Sequence, residues 1–238
     1  MGLTIHYTLR TKLTKPSDVR TLVDAIRQFA LDLPFQNVSD LKEFSEADPE
    51  LEDDEDRRLR IQSDGHLEND GRHYRIPAKR TFAFSTWPGH GCEAANIGFC
   101  SYPATIQVED KRIGTKLRGW TWSSFCKTQY ASNPKCGGVE NFVRCHLLVI
   151  RLLDFIQKSG LAEVEVEDEG GYWKQRDLPA LVKEVGDWNE FLAGFTGQLQ
   201  DVHGSGLVAA ITAFPNFGHL EAKGLARLEK LRDGKSDR

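Results

Sequence analysis

The sequence predicts an α+β protein, an antiparallel-rich or mixed sheet with two main amphipathic helices packed on one face. Three observations carry that prediction. The chain opens on a strand–helix–strand unit, the stretch from Ile61 to Lys127 is mostly β in pattern, and two long helical periodicities follow in the C-terminal half. With 238 residues, 39% hydrophobic and 28% charged, the chain can bury a core and lacks the charge excess of a disordered protein. No internal repeat or linker divides it, so one domain over 1–238 is expected.

Leu3, Ile5, Tyr7 and Leu9 alternate with Thr4, His6, Thr8 and Arg10, the period of a strand with one buried face. Pro16 and Ser17 then start a helix whose apolar positions run from Val19 to Leu33 and stop at Pro34. Phe35 to Phe44 reads as a strand and its exit. The acidic block EADPELEDDED, about 46–56, reads as a solvated loop, because like charges resist compaction and the regular ligand spacing of a calcium loop is missing.

Asp64-Gly65 and Asp70-Gly71 mark turns around short strands, the last over Arg72 to Ile76. Arg80 to Thr86 is a strand leading into PGHGCEAANIGFCSYP, read as a glycine-rich loop. Ala104 to Glu109 is a strand, Asp110 to Thr115 a turn, and Leu117 to Lys127 another strand.

Val139 to Ser159 is the principal helix. At about 100° per residue, Glu140, Arg144, Arg151, Asp154 and Lys158 share one stripe, which turns Cys145 and His146 toward the core. Gly160 ends it. Ala162 to Gly171 is an acidic loop or short edge strand. A second long helix starts at Asp177 and runs through Leu181, Val185, Trp188 and Phe195, with Gly186, Gly194 and Gly197 suited to close packing or a kink. Leu207 to Phe214 reads as a final strand, and the tail is helical, then polar and flexible from about 230.

A formal net charge of -4 and a pI near 6.0 disfavour nucleic acid as a partner. No stretch is apolar enough for a membrane span and no secretory leader is recognisable, so the expectation is a cytoplasmic protein with reduced cysteines and no membrane partner.

Cys136 is the leading candidate for chemistry. NPKCGG places its thiol at a helix start, where unpaired N–H groups and Lys135 favour a thiolate, and Gly137 and Gly138 let an anionic group approach. A nucleophilic cysteine needs a base and an orienting group; His90 is the candidate base, with Glu93 or Glu140 to orient it. The glycine-rich loop with Gly89 and Gly91, the aromatic residues Trp120 and Trp122, and Lys127 are the candidate walls of a pocket for a small or anionic ligand. No cofactor is expected. Cys92, Cys100, Cys126 and Cys136 are the candidate ligands if the chain holds a structural zinc, although none of them has the CxxC spacing of a legible zinc site.

MGLTIHY, STWPGHGCE and WSSFCKTQYASNPKCGG together resemble an uncharacterised family of bacterial proteins. That resemblance spans most of the chain and implies no activity. Two functional readings therefore stay open, a cysteine-dependent hydrolase or transferase and a non-enzymatic ligand-binding or protein-interaction module.

Overall fold

The computed structural model describes residues 3–45, 54–203 and 209–236. In chain order these form β1 (Thr4–Thr11), α1 (Pro16–Leu31), β2 (Asn37–Val38), β3 (Lys42–Ser45) and α2 (Asp54–Gln62). The hairpin β4 (Gly65–Asn69) and β5 (Arg72–Ile76) follows, then β6 (Arg80–Trp87), β7 (Ala95–Ser101), and the hairpin β8 (Thr105–Val108) and β9 (Lys111–Gly114). The rest is β10 (Trp120–Lys127), α3 (Gly138–Lys158), β11 (Ala162–Asp168), α4 (Tyr172–Gln175), α5 (Leu178–His203) and α6 (Phe217–Ser236). Among the described residues, seven strands make one antiparallel sheet in the order β11-β1-β10-β7-β6, with β2 and β3 both paired to β6. The α+β class and antiparallel sheet expected from the sequence hold.

The alternation of β1 decides its place. Ile5, Tyr7 and Leu9 are buried and lie opposite Cys126, Ser124 and Trp122 of β10, so one face of this pair is core. Val164 and Val166 of β11 pack on the same cluster, and Glu163, Glu165 and Glu167 of that strand turn outward. α1 and α3 cover this face, joined by the stacked rings of Phe29 and Phe155 at 4.0 Å. Their buried residues, Val19, Val23, Ile26, Val149, Leu153 and Ile156, repeat at helical spacing, so hydrophobic burial fixes which side of each helix meets the sheet.

β6 is buried from Thr81 to Thr86 on both faces, which requires a second cover. α2 supplies it, with Leu59 wholly buried. β10 and β7 pair only at Trp120–Ser101 and Thr121–Cys100. Beyond that point side chains bridge the gap: Gln62 at the end of α2 donates to Ser124 and accepts from Asn96 Nδ2, while Tyr7 Oη and Trp122 Nε1 each donate to the Asn96 carbonyl at 2.8 Å.

Several local expectations need correction. The glycine-rich stretch is a loop only at its start, because Ala95–Ser101 lies fully in register with β6 as β7. Residues 46–53 of the acidic stretch lie outside the described residues, and Asp54, Glu55 and Asp56 form the first turn of α2, where carboxylates complement the helix dipole. The stretch read as a turn at 110–115 contains β9, because a tighter reversal at Glu109 and Asp110 starts the return strand earlier. Of the expected final strand, the described part is the 3-10 turn Ala210–Ala213, and α6 continues to Ser236.

α5 packs chiefly on α6, and two glycines set the closeness of that crossing. A Cβ on Gly224 would fall on the Glu190 carbonyl oxygen and lie 2.8 Å from the Gly194 nitrogen, all of it backbone. Gly224→Ala is therefore expected to lower stability by about 2 kcal/mol in spite of alanine's better helix propensity. Gly186→Ala on α5 meets nothing within 4 Å and should raise stability by up to about 1 kcal/mol. Thermal unfolding of the two variants beside the wild type checks both signs.

Candidate functional site: a thiol pair under the glycine-rich loop

The loop after β6 crosses the first turns of α3 and is clamped there by two side chains. Asn141 Nδ2 donates to the His90 carbonyl at 2.9 Å, and Arg144 Nη1 donates to the Pro88 carbonyl at 3.1 Å and the Pro34 carbonyl at 3.3 Å. The approach is close enough to need glycine. Gly91 has φ +82, and a Cβ there would sit 2.7 Å from the Tyr130 carbonyl oxygen; at Gly89 it would sit 2.7 Å from Cys145 Sγ.

The loop thus meets α3 one to two turns beyond Cys136. Cys136 closes the 3-10 turn Pro134–Cys136 and is partly exposed. Among the described residues, no hydrogen bond links its side chain to His90, Glu93 or Glu140. His90 and Glu140 are exposed, and the loop is held through the His90 carbonyl, not its ring. Gly137 (φ +107) and Gly138 (φ +70) serve the backbone turn into α3. Trp120 and Trp122 are core residues, Trp120 stacked on Phe82 at 5.6 Å, and Lys127 Nζ lies 4.9 Å over the Tyr130 ring.

What the clamp brings together is Cys92 and Cys145. Cys92 packs against the apolar cluster that contains Cys145, near enough for each thiol to shift the proton affinity of the other. Arg144 Nη2 lies 3.4 Å from Cys145 Sγ; in its protonated state the Cys145 thiol can donate to Asn141 Oδ1 at 3.5 Å. The Cys92 hydrogen bond and then the Arg144 guanidinium hold Cys145 below an ordinary thiol, against the opposing effect of burial. Cys92 is pushed far up, first by that same hydrogen bond and then by burial and the facing charge. Of the two, Cys145 is therefore the thiol that gives up its proton more readily.

Cys126 stands beside the pair, wholly buried, its thiol donating to the Glu93 carbonyl at 3.3 Å, and burial pushes it up. Cys100 belongs elsewhere, bonded to Tyr102 Oη and the Thr121 carbonyl and raised by burial to about 12. Cys92, Cys100, Cys126 and Cys136 therefore do not converge, and among the described residues no three His, Cys, Asp or Glu side chains are grouped to hold a metal.

Cys92 is partly exposed. It forms part of the wall of a cavity of about 430 Å³ between α2 and the start of β7, lined also by Asp54, Glu55, Arg58, Trp87, Glu93 and Asn96. The Gln62–Asn96 hydrogen bond, 2.6 Å, links α2 to β7 beside this cavity. Comparison with protein-family models, curated proteins and solved structures returned no match. The chemistry must therefore be read from the side chains. Within the described residues no helix is long and apolar enough to cross a membrane.

A second polar group lies behind the pair. His146 Nδ1 is 3.1 Å from Thr128 Oγ1, and Nε2 is 3.3 Å from Asp168 Oδ2. The order resembles a hydroxyl–imidazole–carboxylate relay. Thr128 and His146 are both 0% exposed, however, so no substrate atom reaches the hydroxyl, and the group joins β10, α3 and β11 from within.

Sequence reasoning correctly turned Cys145 inward and for that reason passed it over. It also left Arg144 on the polar stripe. No spacing rule links positions 92 and 145; the one usable signal was a cysteine within a loop whose glycines demand a close neighbour.

Proposed function

We propose that this chain is a cysteine-dependent thiol–disulfide protein of the cytoplasm, in which Cys92 meets a small-molecule disulfide in the cavity and Cys145 resolves the adduct. The observation that carries the reading is the packing of Cys92 on the cluster that contains Cys145, with Arg144 Nη2 3.4 Å from the buried sulfur. A proton passes from the Cys92 thiol to the Cys145 sulfur, and the Cys92 thiolate attacks one sulfur of R–S–S–R. That S–S bond breaks, Cys92–S–S–R forms, and the departing RS⁻ takes the proton from Cys145. Cys145 thiolate then attacks the Cys92 sulfur and expels the second RS⁻. The pair loses two electrons to the substrate, which leaves as two thiols.

The negative net charge and the modest cavity support a small molecule over a nucleic acid as partner. The test is oxidation of the reduced protein with bis(2-hydroxyethyl) disulfide followed by peptide mapping. A linked Cys92–Cys145 peptide that dithiothreitol reverses is expected; a Cys136 adduct with Cys92 and Cys145 untouched would overturn the assignment. Arg144→Leu should shift the pH at which the pair oxidises upward, since the thiolate loses its cationic neighbour. A rate–pH profile superimposable on the wild type would count against that role.

A further inference from the structure

The charged groups on the wall of the Cys92 cavity are not all open to a ligand. Asp54 accepts from Arg57 Nη1 at 3.0 Å, and Glu55 is engaged within the chain. The neutral polar groups occupy one another: Ser85 Oγ donates to Asn96 Oδ1 at 2.7 Å, and Asn96 Nδ2 donates to Gln62 at 2.6 Å. Arg58 and Glu93 remain, one cation and one anion, and among the described residues no ion pair or hydrogen bond engages either side chain. They come from separate walls. Arg58 lies on α2 beside the wholly buried Leu59, and Gln62 ties the end of that helix to the sheet. Glu93 adjoins Cys92, its N–H donating to the Lys127 carbonyl at 3.0 Å and its carbonyl accepting from the Cys126 thiol at 3.3 Å. Both backbones are thus fixed while both side chains stay exposed. Their charges cancel, so this wall favours neither a purely cationic nor a purely anionic disulfide; it fits a molecule that carries one group of each sign. Trp87 adds apolar ring surface to the same wall.

We infer that the substrates of this site are zwitterionic disulfides of free amino acids, whose α-ammonium meets Glu93, whose α-carboxylate meets Arg58 and whose sulfur meets Cys92, with the stem against the Trp87 ring. This rests on the thiol–disulfide reading proposed above and names its substrate class. A half-cystine inside a peptide does not qualify, because its amino and carboxyl groups are amides. The electron balance is the one already given: one cystine is reduced to two molecules of cysteine as the Cys92–Cys145 bond forms, and the pair's two electrons and two protons end on the products.

The experiment compares L-cystine with D-cystine as oxidants of the full chain, and formation of the Cys92–Cys145 bond is followed by mass spectrometry. The enantiomers react identically with an achiral thiol, so a difference between them reports the site alone. Three points of attachment should separate their rates at least about fivefold. Cystamine keeps only the ammonium and 3,3′-dithiodipropionate only the carboxylate. Each should fall about tenfold below the faster enantiomer, once every rate is divided by that of the same disulfide with 2-mercaptoethanol. Arg58→Gln should lower the cystine rate and raise that of cystamine, whereas Glu93→Gln should lower the cystine rate and raise that of dithiodipropionate. A loss of folding cannot produce those opposed responses. Equal rates for the two enantiomers, or a cystine rate that neither substitution lowers, would overturn the substrate class while leaving the thiol–disulfide reading intact. If no disulfide in the series forms the Cys92–Cys145 bond, the thiol–disulfide reading fails and the substrate class falls with it.

Discussion

His146→Ala is expected to lower the unfolding free energy by about 3–5 kcal/mol, the largest loss of stability from a single polar side chain in this protein. The imidazole touches three separate elements. Thr128 follows β10, Asp168 ends β11, and His146 itself lies on α3 with its ring 5.5 Å from that of Phe142. Asp168 is 1% exposed at its side chain and also accepts the N–H groups of Gly170 and Trp173, each at 2.8 Å. Removing the ring leaves a buried carboxylate short of a partner and opens a void beside Phe142. Urea titration checks the magnitude; a loss under about 1 kcal/mol would mean that water replaces the ring without cost.

The same contact sets part of the acid limit of the fold. Burial pushes the Asp168 carboxyl up, but the His146 hydrogen bond and charge, with the Trp173 and Gly170 N–H groups, outweigh it and leave the group below its ordinary 3.8. The folded state therefore binds this proton less tightly than the unfolded state. Its stabilising contribution is complete above that ordinary value and is lost as pH falls through the lower folded one. Asp168→Asn should flatten the decline of the urea midpoint as the pH falls below about 4. Parallel wild-type and variant curves below that pH would show that other carboxylates carry the acid transition.

Cys145→Ser should remove the intramolecular disulfide altogether and stop the reaction at the mixed disulfide on Cys92, read as one added R–S group per chain. The serine hydroxyl fits the site but cannot expel the second thiolate. Cys92→Ser should leave Cys145 at least about tenfold slower toward the same disulfide, because Cys145 is 0% exposed whereas Cys92 is partly exposed. The asymmetry is the informative part. Equal adduct formation on the two variants would mean that neither position is the entry point, and Cys136, partly exposed at its turn, would become the candidate again.

Much of the secondary structure was legible because each element has its own period. The alternation through Leu9, the helical repeat from Val19 to Leu33 and the polar stripe of α3 each match the burial observed. Failures cluster where periodicity is weak. β7 follows Pro88, Gly89 and Gly91 and contains Gly98, so its sequence reads as a loop, yet a Cβ at Gly98 would lie 2.5 Å from the Phe82 carbonyl oxygen of its partner strand. The glycine is there because two strands approach closely, a fact about β6 that the local sequence does not carry.

The site divides in the same way. That Cys145 and His146 face inward follows from position on a helix, a property of one element and hence of the sequence alone. Which side chains they meet is a property of three or four elements at once. The meeting of Cys92 with Cys145, and of His146 with Thr128 and Asp168, was decided by strand order and by the clamp of Asn141 and Arg144 on the glycine-rich loop. Residues 53 positions apart along the chain have no shared periodicity to reveal them, and only the folded sheet, with helices on both faces, packs them into one cluster.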